Sequence, residues 1–194
     1  MRLVELLACG ALLAAGNAAA ESTPAYAASV QHSYVPASGI KRLAIVPFAC
    51  PETLECTEFA THITKRLAKR TKLTITPATR TSEVMTKAGI EKFDYETGYI
   101  LAEALAVDAF AVVEIQQAQV ETLSQKQISQ DGKEIQADGP QVKHVKINLK
   151  VVDKGGAQLL AASGESQVRS IFSSLDEVAT ETFDVVLDKS MAAD

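Results

Sequence analysis

Two cysteines and a histidine fall at equal intervals, Cys50, Cys56 and His62, in the pattern Cys-x5-Cys-x5-His. Three such donors could hold zinc or copper, but the spacing matches no common metal knuckle and no fourth ligand stands nearby, so no metal centre is expected. In an oxidising compartment Cys50 and Cys56 would instead close a short disulfide ring that pins its loop; two free thiols are the competing reading. As a nucleophile, either cysteine would have to stay reduced beside a base such as His62. The carboxylates Glu96 and Glu103, seven apart on a predicted helix, read as a solvated face rather than an acid-base pair. The loop Ala49-Cys50-Pro51-Glu52 contains no glycine, so it is neither a dinucleotide fingerprint nor a phosphate loop. Nucleophile, base and orienting group do not converge even in outline, which points away from an enzyme and implies no cofactor.

The compartment follows from the first twenty residues. Met1-Arg2, the apolar run Leu3 to Ala15 and the triplet Ala18-Ala19-Ala20 have the order of a secretory signal cleaved before Glu21. Leu6-Leu7-Ala8-Cys9 also resembles a lipidation box. Only six apolar residues precede that cysteine, however, and apolar sequence continues past it to an Ala-x-Ala site, so ordinary cleavage is the preferred reading. The expected location is the periplasm, with no membrane-spanning segment after cleavage and peripheral outer-membrane association left open. Removing Arg2 and Glu5 with the signal leaves the net charge at -5, which disfavours a general nucleic-acid binder.

The expected organisation is a signal over 1–20, a flexible tether over 21–38, where Pro24 and Pro36 interrupt small polar sequence, and one α/β domain over 39–194. Within that domain Lys41 to Phe48 reads as a buried strand. Phe59, Ile63 and Leu67 recur every four residues and put one face of a helix in the core. Leu73 to Thr76 reads as a second strand. Thr79 can cap a short helix ending at Gly89, and Asp94 a third helix with Ile100, Leu101, Ala104 and Leu105 on its apolar side. Ala109 to Ile115 is nearly continuous in apolar residues, as in a central strand, and runs on into polar sequence to Ile128. Asp131-Gly132 signals a hairpin turn. On the return, Val145, Ile147, Leu149 and Val151 alternate with polar residues. A strand through Leu159-Leu160 to Val168 follows, then a helix opened by the capping box Ser174 to Glu177, with Leu175, Ala179, Phe183 and Val186 facing inward. The order is β-α-β-α-α-β-β-β-α, a sandwich with a mixed sheet.

Three segments in this order resemble a group of envelope proteins: the CsgG-like proteins, with LpoB and the TolB N-terminal domain. They are Arg42 through Phe48; Leu105 through Val113 with its small-residue turn and Asp108; and Val145 through Val152, followed by Asp153 and Gly155-Gly156. The similarity covers about residues 41 to 188. The family's Val-Val-x-Arg after the second strand is here Thr74-Ile75-Thr76-Pro77, and Glu114 stands where a glycine is frequent, which leaves the subfamily open. The resemblance implies a CsgG/TolB-N-like fold and a periplasmic accessory or adaptor domain that docks onto another envelope protein.

A CsgG-type membrane-crossing hairpin needs about 9 to 11 residues with one apolar side. Between Gln116 and Lys143 one face carries Gln117, Gln119, Glu121 and Gln125 and the other Gln116, Thr122 and Ser124, so a secretion pore is not expected. The hairpin is instead a candidate docking edge, or a merely solvated one. Lys65, Arg66, Lys69, Arg70 and Lys72 form a second candidate partner-binding patch, although cations in the last turn of a helix also complement its dipole. The alternative function is a periplasmic metal or small-molecule carrier built on the Cys50, Cys56 and His62 region; weighing against it, the chain has no Trp, six Phe and four Tyr with which to line an apolar pocket.

Overall fold

The computed structural model describes residues 25–32, 40–128, 131 and 133–191. The segment read as an export signal, including Cys9, lies outside the described residues. Ten elements follow in chain order: β1 Ala25–His32, β2 Arg42–Ile45, α1 Cys56–Thr71, β3 Thr74–Thr76, α2 Ala78–Lys87, α3 Tyr95–Leu105, β4 Ala109–Ile128, β5 Glu134–Asp153, β6 Gln158–Arg169 and α4 Leu175–Met191. The strands form one mixed sheet in the order β1-β6-β5-β4-β2-β3. β2 pairs parallel with β3 and β4, and the remaining pairs are antiparallel.

β1 corrects the reading of a tether over residues 25–32 and adds a strand before the expected order; the rest of that expected tether, 21–24 and 33–38, lies outside the described residues. Its period is present, with Tyr26, Ala28 and Val30 half-buried and Ala25, Ala27 and Ser29 exposed. Three alanines make that alternation too faint to read alone, and pairing with β6 and packing on α4 decide it.

The sheet is covered unequally. On one face α1 and α4 bury a large core that includes Ile45, Phe59, Ile63, Leu67, Ile147, Leu149, Leu160 and Phe183. On the other, a smaller cluster of Ala44, Val46, Met85, Leu101 and Phe110 lies under α2 and α3. That second layer does not extend across the antiparallel half, where Lys150, Glu165 and Gln167 are exposed, as expected of a sheet with one wet face. α4 comes unusually close to β6. A Cβ on Gly164 would stand 2.2 Å from Val186 Cγ2, so only glycine admits this approach.

Local signals and tertiary context divide the helix ends. Asp94 and Thr97 form a reciprocal cap on α3, and Ser174 with Glu177 forms one on α4. Thr79 is not a cap, because α2 begins one residue earlier behind Pro77, whose fixed φ already suits a helix start. The expected apolar side of α3 is also narrower: Leu101 is fully buried while Ile100 is 53% exposed.

Candidate functional site

The parallel strands β2, β3 and β4, together with β6, all end on the same side of the sheet, where the disulfide loop and the groove beside it lie. Cys50 and Cys56 are joined by a disulfide with Cα atoms 6.0 Å apart, closing the loop between β2 and α1. That loop is tied down at two further points. Thr53 Oγ1 donates to the Ala118 carbonyl at 2.9 Å, and the Glu55 N–H donates to Asp176 Oδ1 at 2.7 Å, linking it to β4 and to the start of α4.

Between α1 and α2 the same loop walls a groove of about 300 Å³, lined by Pro47, Phe48, Cys50, Cys56, Ala60 and Ala78 with threonine and serine hydroxyls at its rim. Its floor is apolar. Pro47 and Pro77, following β2 and β3, end those strands and leave the space open.

His62 does not join the cysteines. It lies on the opposite side of α1, with Nε2 2.8 Å from Asp184 Oδ1 on α4 and its ring edge-on to Phe183. The two sulfurs are bonded to each other, so Cys50, Cys56 and His62 do not form one set of donors. Glu96 and Glu103 are exposed on α3 and point to no shared centre.

The five cations of α1 and its end separate by role. Arg66 donates to both Asp188 oxygens at 3.0 and 3.1 Å, with its Nε 3.0 Å from Asp184, and Arg70 Nε donates to Asp188 at 2.7 Å. These two arginines bind α1 to α4. Lys65, Lys69 and Lys72 are exposed, and Lys72 adopts a left-handed φ of 59° as it closes the helix. The patch therefore keeps three outward charges.

β4 and β5 extend past the rest of the sheet. β6 stops where Arg169 pairs with Val142, and beyond it residues 122–128 and 134–141 pair only with each other. This two-stranded ribbon reaches about 20 Å further at the usual rise per residue. The register shift at Thr122/Ser124 marks where it leaves the layered body, while an earlier shift at Ile115/Gln117 falls within it. Lys126 pairs with Glu134 across it, and Ile128 is 77% exposed.

Sequence reasoning missed one feature of this end. The loop between β6 and α4 presents Ile171 and Phe172 at 71% and 80% exposure. Two large apolar residues flanked by Ser170, Ser173 and Ser174 were the available signal. A second omission is Tyr26, whose hydroxyl donates to Glu181 on α4; burial, reinforced by that carboxylate, pushes its pKa well above the usual tyrosine range.

An elongated mixed sheet with helices on both faces over its parallel half, and a ribbon leaving its carboxyl end, defines a class of bacterial fold already seen in solved structures. PelC from Paraburkholderia phytofirmans, solved as a dodecamer, matches with a TM-score of 0.54 at 16% identity, over 88% of this chain and 100% of that one. Lipoprotein GNA1162 from Neisseria meningitidis matches at 0.48 and 14% identity over 77% and 96%, and protein CT253 from Chlamydia trachomatis at 0.45 and 13% over 78% and 94%. At these identities the PelC likeness establishes the fold alone. No protein-family model and no curated protein matches the chain. No helix among the described residues is long and apolar enough to cross a membrane.

Proposed function

We propose that the chain is a non-enzymatic accessory domain of the bacterial cell envelope, exported to the periplasm, which docks onto another envelope protein through the ribbon of β4 and β5. The observation that carries this reading is the ribbon itself. A core explains strands up to Val142, but beyond it residues 122–128 and 134–141 run on as a two-stranded extension that pairs with no third strand. Exposed strand edges of this kind accept partner strands.

Other features support the same reading. The sequence opens like an export signal and its motifs resemble CsgG, LpoB and the TolB N-terminal domain, while the fold is shared with PelC. The groups best suited to chemistry are engaged in holding the fold: the cysteines with each other, and His62 with Asp184. Of the cations on α1, Lys65, Lys69 and Lys72 stay exposed and are not part of the ribbon, whereas Arg66 and Arg70 position α1 against α4.

The test is excision of residues 122–141, with Glu121 and Val142 joined through an Asn-Gly turn suited to a tight hairpin. The shortened protein is expected to melt cooperatively near the intact one, and to lose an envelope protein that the intact chain captures under in vivo cross-linking. Retention of the same cross-linked partner would sink the proposal.

A further inference from the structure

The strand order places the β6–α4 loop and the groove between α1 and α2 on opposite flanks of the same sheet end. Phe172 is the most exposed large apolar side chain among the described residues. It is not held there by chance geometry. Ser170 Oγ accepts the N–H groups of Phe172 and Ser173 at 3.0 and 3.2 Å, and Lys143 Nζ, on a residue only 4% exposed, donates to the Ser170 carbonyl at 2.6 Å. A loop fixed by three hydrogen bonds keeps an aromatic ring in water, where it has nothing to bury against. Such a rigid apolar knob is what a binding surface requires, because little side-chain or loop entropy remains to be lost on contact.

Charge follows the same division. Down the knob's side, α4 exposes Glu177 and then Glu181. On the groove's helix, α1 exposes Lys65, Lys69 and Lys72 below Thr57 and Thr61, and no ion pair engages these lysines among the described residues. Two copies set side by side in the same orientation would bring knob to groove at the sheet end, and acid to base further down both helices.

We propose that a second copy of this chain fills the groove: Phe172 of one copy inserts beside the Cys50–Cys56 disulfide of the next. Knob and groove lie on different surfaces, so the contact is heterologous. It repeats from copy to copy, closing into a ring or running on as a filament, and does not form a two-fold dimer. The contact uses none of the ribbon, so its failure and that of ribbon docking are read separately.

Sedimentation velocity on the intact mature protein, with and without Phe172→Ser, is the first measurement. The wild type is expected to self-associate, more weakly as salt rises. Phe172→Ser should lower the association constant by about tenfold or more, as for a hot-spot aromatic, with an unchanged melting temperature because the ring is exposed. Ala60→Leu, which fills the groove from its wall, should act in the same direction. Mixing a Phe172→Cys protein with a Thr61→Cys protein under mild oxidation should give a cross-linked heterodimer that neither protein gives alone. A wild type monomeric at every concentration reached, association indifferent to Phe172→Ser, or efficient cross-linking of Phe172→Cys to itself would each overturn the proposal.

Discussion

Asp108 Oδ2 accepts the backbone N–H of Arg42 at 3.0 Å, and that of Lys41 at 2.9 Å. One carboxylate thus joins the start of β4 to the start of β2 across 66 residues of chain, fixing the register of the parallel pair from its open end. The Asp108 N–H in turn donates to the Arg42 carbonyl. The backbone donors, the Lys41 N–H first, hold the Asp108 pKa below the usual carboxylate range. Because the folded-state pKa is depressed, the stabilisation is fully present above the unfolded value of about 3.9 and is lost as pH falls through the lower folded value. Asp108→Asn should cost about 1 kcal/mol at neutral pH, and the gap to wild type should close in acid below about pH 4. Urea melts at both pH values check this; a gap that stays constant would show that the carboxylate's charge plays no part.

Gly164→Ala should be among the most damaging single changes outside the large core side chains. The added methyl would overlap Val186 Cγ2, and α4 cannot retreat without loosening the contacts of Val178, Phe183 and Val186. Nor can it slide, because Ser166 Oγ and Thr182 Oγ1 are hydrogen-bonded at 2.7 Å in a fully buried position. A loss of about 1–3 kcal/mol is expected from such overpacking, measured by chemical denaturation. Val186→Ala in the same background should recover part of it, which distinguishes a clash from a backbone effect.

How much of this was legible in the sequence depended on whether a residue's role was local. The caps at Asp94 and Ser174 and the inward stripes of α1 and α4 follow from spacing alone, and all appear where spacing puts them. β1 escaped notice because its alternation is carried mostly by alanine and its partner β6 lies more than a hundred residues away. The groove and the Phe172 loop are non-local in the same sense. Neither Ala60 nor Ala78 signals a cavity until two helices are set side by side, and Phe172 reads as an ordinary apolar residue until its loop is pinned by Lys143. His62 shows the converse, since it stands at the same interval as the two cysteines in sequence, yet helix geometry turns it to the other side of α1.

Removing the disulfide should act on the loop more than on the domain. The ring spans a sequence separation of 6, so the chain-entropy account gives about 2 kcal/mol, toward the low end of what disulfides contribute. Cys50→Ser with Cys56→Ser should therefore leave a cooperatively folded protein. Thr53 and Glu55 would still tether the loop through Ala118 and Asp176. Native-state hydrogen exchange should show faster exchange for the amides around Leu54 with little change in the core strands. Global loss of protection would mean that the bond carries the fold itself.

The cations of α1 give the sharpest separation between holding the fold and offering a surface. Arg66 is only 22% exposed at its side chain and faces Asp184 and Asp188, so truncation removes the arginine the two carboxylates share and leaves Asp184 with His62 and Asp188 with Arg70. Lys65, one residue earlier, turns the other way into solvent. Arg66→Ala should therefore lower stability by about 1–2 kcal/mol, and Lys65→Ala by less than about 0.5 kcal/mol. If both are neutral, the α1–α4 ion pairs are no more than surface pairs, and α1 is held by Phe59, Ile63 and Leu67 alone. If both destabilise, Lys65 has a structural partner and is no longer free to meet a neighbour. Thermal melts of the two variants decide which residues of the patch remain available for contact.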